Sequence, residues 1–62
     1  MQGRFKKNHI IIGDNQVLKI PSNVDIEIIE VQNHPEFGRR YKILGCKGWI
    51  KHECFEYVIG YI

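Results

Sequence analysis

Two stretches of the chain alternate apolar and polar residues, and a period of two is the signature of a strand with one buried face. In Val24-Asp25-Ile26-Glu27-Ile28 the apolar residues Val24, Ile26 and Ile28 point inward. Over residues 39–44, Arg39, Tyr41 and Ile43 face one way and Arg40, Lys42 and Leu44 the other. Tyr41 and Ile43 suit the core side, which leaves Arg40 and Lys42 in water. The alternation slips at Ile28-Ile29, two adjacent apolar residues, so Ile29 and Val31 fall on the opposite face. A β-bulge or sharp bend accounts for the slip. The other reading is an exposed apolar patch at Ile29.

Shorter apolar runs fill in the rest. His9 to Ile12 and Val17 to Ile20, separated by Gly13-Asp14-Asn15-Gln16, read as a hairpin. Pro21 ends it, having no N–H to give to a ladder. Gly3 to Lys6 reads as a frayed first strand around Phe5. Residues 32–38 form the longest loop, in which Phe37 either caps the core or meets a partner, capping being the expected role. Gly45 to Gly48 supplies two glycines for a tight hairpin, Trp49-Ile50 starts another strand, and His52-Glu53-Cys54 forms one helical turn. Tyr57 to Ile59 pairs back onto the first strand, leaving Tyr61 and Ile62 to extend that pairing or to make a homodimer edge. The predicted core is Ile26, Ile28, Tyr41, Ile43, Ile50 and Phe55.

Composition narrows the class. Sixty-two residues make one domain, 1–62, with a thin core. Ala and Thr are absent, Leu occurs twice and Ile eleven times, a balance that favours an all-β fold. The formal charge of +2 is too small to demand nucleic acid. No apolar run is long enough to span a membrane, and the basic N-terminus lacks the apolar stretch of a secretory signal, so the expected location is the cytoplasm. Cys46 and Cys54 are expected as reduced thiols.

The residues Gly48-Trp49-Ile50-Lys51-His52-Glu53-Cys54-Phe55-Glu56 resemble the end of a Src-homology-3-type barrel: a glycine, two strand residues, a short 3₁₀ turn, then an apolar residue entering the last strand. Tyr41-Lys42-Ile43 and Val24 to Val31 are similar to bacterial members of that group, and the resemblance spans roughly Val24 to Val58. It implies a single five-stranded barrel with a short 3₁₀ turn before the last strand. The chain departs from the eukaryotic proline-peptide groove. Lys51 and Cys54 stand where that groove has its proline and tyrosine, so polyproline is not the expected ligand.

Candidate chemistry is sparse. His52, Cys54 and Cys46 are a metal-like set, but their spacing is not that of a zinc knuckle, and no metal or other cofactor is expected. A Cys–His nucleophile would need a positioned base and an oxyanion hole, which so small a chain is poorly able to build. Glu27 and Glu30 fall on opposite faces and make no acid–base pair. The surface feature that stands out is a basic group around one aromatic: Arg40, Lys42, Lys47, Trp49 and Lys51.

These features predict a non-enzymatic protein-interaction module with Phe37, Arg40, Lys42, Trp49, Lys51 and Tyr57 as its contact surface. A phage- or mobile-element-borne inhibitor or regulator of a larger host protein fits that profile. The alternative is a nucleic-acid-binding barrel, similar to those of the Tudor and KOW kind, in which Trp49 stacks a base and Arg40, Lys42, Lys47 and Lys51 meet phosphates.

Overall fold

The computed structural model describes residues 1–12 and 15–61. Among these the chain forms seven strands: β1 (Gln2–Phe5), β2 (His9–Ile12), β3 (Val17–Ile20), β4 (Ile26–His34), β5 (Gly38–Ile43), β6 (Ile50–Lys51) and β7 (Phe55–Ile59). A 3₁₀ turn, His52–Cys54, joins β6 to β7, and no α-helix is present among the described residues. The fold is all-β, as the Ile-rich, Ala-free composition predicts.

Five strands form one antiparallel sheet in the order β6-β5-β4-β1-β7, and β2 and β3 pair as a separate two-stranded sheet. The expected closed five-stranded barrel is realised only as far as this order. The sheet stays open, with β6 and β7 at its two edges, connected through the 3₁₀ turn. The first and last strands do pair, Gly3 opposite Val58 and Arg4 opposite Tyr57.

Two irregularities direct the core. In β4 the register shifts between Ile28 and Glu30, so Ile29 is an extra residue. The bulge brings Ile28 opposite Ile43 and Val31 opposite Tyr41. Val31 therefore packs against the core, not on the opposite face as simple alternation implies, while Ile29 is left exposed. A second shift lies between Arg4 and Phe5, where Phe5 meets Phe55. That shift turns both rings inward, stacked with centroids 4.7 Å apart.

The buried core is Phe5, Ile20, Ile28, Tyr41, Ile43, Ile50 and Phe55. Five of the six expected core residues are there. Ile26 is half-buried and packs against the cluster from its rim. Val24 is 43% exposed, because β4 begins only at Ile26 and the period of two does not reach back to it. Phe5 and Ile20 complete the core from strands whose sequence context is polar or ends at a proline.

Turns follow from local chemistry. The β4–β5 hairpin closes opposite His34–Gly38, with Gly38 at φ +75°, where glycine carries no Cβ penalty. The Nδ1 of His34 accepts from the backbone N–H of Glu36 at 3.1 Å and of Phe37 at 3.2 Å, fixing the turn. Strand β4 thus runs through His34, and the expected long loop shrinks to three residues, 35–37. After β5, Cys46 N–H donates to Ile43 O, with Gly45 at φ +86°. Gly48 does not take the left-handed conformation expected of it, since this one turn already reverses the chain. Gly13 and Asp14 of the β2–β3 turn, and Ile62 of the expected homodimer edge, lie outside the described residues.

Candidate interaction surface on the outer face of strands four to six

The pleat of β5 buries Tyr41 and Ile43 and sends Arg40 and Lys42 outward, as alternation predicts. Cross-strand register then selects their neighbours. Gln32 of β4 lies opposite Arg40, and Lys51 of β6 lies on Arg40's other side. Glu30 lies opposite Lys42, and one further step of the β5–β6 register puts Trp49 across from Lys42.

The side chains make these rows into one surface. The Arg40 guanidinium lies 5.1 Å from the Trp49 ring centre and 5.6 Å from that of Phe37, so it bridges the two aromatics. Its Nε donates to Gln32 Oε1 at 2.5 Å, which fixes the orientation of the planar group. Lys42 Nζ sits 4.8 Å from the Trp49 ring centre and 4.0 Å from Glu30 Oε2. Each cation–π contact at such half-exposed sites is worth about 0.5–1 kcal/mol. Both cations lie over the indole, and Trp49 is half-buried.

Phe37 does not cap the core. It is 58% exposed and tilts against the His34 ring, with centroids 4.6 Å apart. The His34-capped turn holds it out over the sheet, so its role as a contact residue is compatible with its position and its capping role is not. Lys51 is exposed. Lys47 lies in the β5–β6 connection and lines a hollow with Ile11, Ile12 and Leu18 of the β2–β3 hairpin, away from the rows just described. The contacts of Tyr57 are with Arg4 and Asp25: the Tyr57 hydroxyl donates to Asp25 Oδ1, and the Arg4 guanidinium lies 5.6 Å from the phenol ring. The structure thus assembles Phe37, Arg40, Lys42 and Trp49, with Lys51 beside them, and leaves Tyr57 in another cluster.

That second cluster holds the perturbed acid–base groups. The hydrogen bond from Tyr57, and the Arg4 Nε at 3.0 Å, hold the Asp25 carboxyl below its ordinary range. The same bond to Asp25 pushes the Tyr57 phenol above its ordinary value. The arrangement ties the loop before β4 to strands β1 and β7.

Sequence reasoning gave Gln32, Glu30 and His34 no part in this surface, yet they orient the cations and the turn. The signal was present in the hairpin: once the turn is centred on residues 35–37, antiparallel pairing aligns Gln32 with Arg40 and Glu30 with Lys42. His52 also has a role that alternation could not show, a 2.7 Å hydrogen bond between its Nδ1 and the Tyr41 hydroxyl. Cys46 and Cys54 are half-buried free thiols packed against the core. No group of three or more His, Cys, Asp or Glu among the described residues is placed to hold a metal ion. Among the described residues no helix is long and apolar enough to cross a membrane. No protein-family model, curated protein or solved structure matches the chain.

Proposed function

We propose that this chain is a Src-homology-3-like barrel that acts, without catalysis, as a protein-interaction module, docking a larger partner on the face formed by Phe37, Arg40, Lys42, Trp49 and Lys51. The pairing of the last strand with the first, and the 3₁₀ turn leading into that last strand, support the barrel reading. The observation that carries the functional reading is the stacking of two cations over one indole, with Arg40 also over Phe37. Trp and Arg dominate the energetics of protein interfaces, and here they are pre-arranged at little further entropic cost. Among the described residues the Nη1 and Nη2 groups of Arg40 have no protein acceptor and are free to donate to a partner. The arrangement suits a nucleic acid less well. Base stacking needs an open ring face, and both cations occupy the vicinity of this one, with Lys42 also facing Glu30.

Affinity capture from a lysate of the source organism tests the proposal. Wild type and Trp49→Ala are compared, with and without nuclease, across a salt series. The expected result is a captured protein that survives nuclease and is lost with Trp49→Ala, a weakening of at least about 2 kcal/mol. Capture that nuclease abolishes, with a steep salt slope, would make the surface a nucleic-acid site instead.

A further inference from the structure

Beside the proposed face, between the β4–β5 turn and the 3₁₀ turn, lies a hollow of about 200 Å³ lined by Phe37, Arg39, Lys51, His52 and Glu53. At roughly 30 Å³ per liquid water, it has room for the end of one polar side chain with its last waters. Its walls are rich in donors. Lys51 is exposed and forms no ion pair among the described residues. The Arg39 guanidinium lies 5.6 Å from the Tyr41 ring centre, and no carboxylate among the described residues pairs with it. His52 is pinned by the 2.7 Å bond between its Nδ1 and the hydroxyl of buried Tyr41, so Nε2 is the ring's remaining polar atom. Glu53 is the only carboxylate in the lining, and it pairs with neither cation.

Two cations and a fixed imidazole thus line a space together with one carboxylate. The positive surface is continuous with the face described above, since Arg40 stands opposite Lys51 in the β5–β6 ladder and Phe37 borders both regions. Guanidinium matches carboxylate in planar, two-pronged geometry, and ammonium adds an adaptable point charge. We propose that this hollow seats the carboxylate of an Asp or Glu side chain from an acidic segment of the protein partner. The inference rests on the protein-interaction reading and names the chemistry of the partner at this point.

A hexaglutamate peptide is the probe, titrated into ¹⁵N-labelled protein and followed by amide chemical shifts. The expected result is saturable shifts confined to residues 37, 39 and 51–53. Arg39→Gln and Lys51→Gln should each weaken binding at least about tenfold, as loss of a charged hydrogen-bond partner does, while the rest of the spectrum keeps its dispersion. Lys51 is exposed, so its replacement leaves a folded protein to measure. Shifts that spread to Lys6, Lys7 and Lys19 without saturating would overturn the proposal, as would unchanged affinity in both variants. So would a single-stranded oligonucleotide that moves the same amides at lower concentration than the peptide. Trp49 does not line the hollow, so the titration should survive Trp49→Ala. Loss of the captured partner's dependence on Trp49 with an intact titration removes the wider function alone, and the converse removes the hollow alone.

Discussion

The hydroxyl of Tyr41, a residue only 1% exposed, and Nδ1 of His52 share a 2.7 Å hydrogen bond that ties the central strand β5 to the 3₁₀ turn. A buried phenol without such a partner would carry the cost of an unmade bond. Tyr41→Phe removes the hydroxyl and leaves the ring packed, so it should destabilise by about 1 kcal/mol and lower the melting temperature by roughly 4–8 °C. His52→Ala should cost a similar amount, and the double variant less than the sum of the two. Strict additivity in thermal melts would show that the two side chains do not meet in solution.

Trp49 is the only tryptophan, so its fluorescence reports on the proposed face without labelling. Arg40 and Lys42 shield the indole in the free protein. Lys42→Ala and Arg40→Ala should each shift the emission to the red and raise its acrylamide quenching, with little change in melting temperature. An indole equally quenched in all three proteins would mean that the cations do not cover it.

Acid should act through Asp25. Its carboxyl is held below the ordinary value in the folded state, chiefly by Tyr57. The stabilising contribution is therefore complete above about pH 4, the unfolded carboxylate value, and is lost as pH falls through the lowered folded value. Tyr57 works in the opposite sense: its raised value means a contribution complete below about pH 10 and lost as pH rises through it. Tyr57→Phe should make denaturation less sensitive to acid between pH 5 and pH 2 (roughly the span of carboxylate titration). It should also move the Asp25 titration, followed by NMR, up toward the ordinary value.

The position of the core can be checked by pairing a buried and an exposed residue that plain alternation treats alike. Ile28→Ala should cost about 2–5 kcal/mol, and Val24→Ala no more than about 0.5 kcal/mol. Phe5→Ala should cost about 3–5 kcal/mol, enough to unfold much of so small a domain at room temperature. Chemical denaturation midpoints separate Val24→Ala from the other two.

What the sequence makes legible is what period-two alternation governs. The outward aim of Arg40 and Lys42 and the burial of Tyr41 and Ile43 follow from residues 39–44 alone. The hairpin of β2 and β3 follows from two apolar runs with turn residues between them. Alternation fails where the ladder is irregular. Val31 crosses to the core face because Ile29 is an extra residue, and Phe5 enters the core through the shift next to Arg4. Adjacent apolar residues announce a bulge at Ile28-Ile29, but not on which side the strand resumes.

The site was legible to a similar depth. Charge and aromatic content pick out Arg40, Lys42 and Trp49, and the register that unites them needs only the turn to be centred correctly. Phe37 and His52 were harder. The side-chain cap from His34 and the hydroxyl of Tyr41 decide their positions, and both are contacts that no spacing rule encodes. Tyr57 looks like an interface residue by type, and only the tertiary placement of Asp25 and Arg4 shows where its hydroxyl goes.

Strand β4 is shared between two neighbours, and the sharing sets an order of events in folding. From Ile28 to His34, β4 pairs with β5 across a three-residue turn; Ile26 and Glu27 pair with β1, which in turn waits for β7 from the far end of the chain. Closing long loops costs more entropy than closing short ones, so the β4–β5 hairpin should form first and the β1–β7 pairing last. A change that weakens the turn, such as His34→Ala, then slows refolding. Gly3→Ala, whose new Cβ would lie 2.9 Å from Phe55 Cδ1, leaves the refolding rate nearly unchanged and accelerates unfolding.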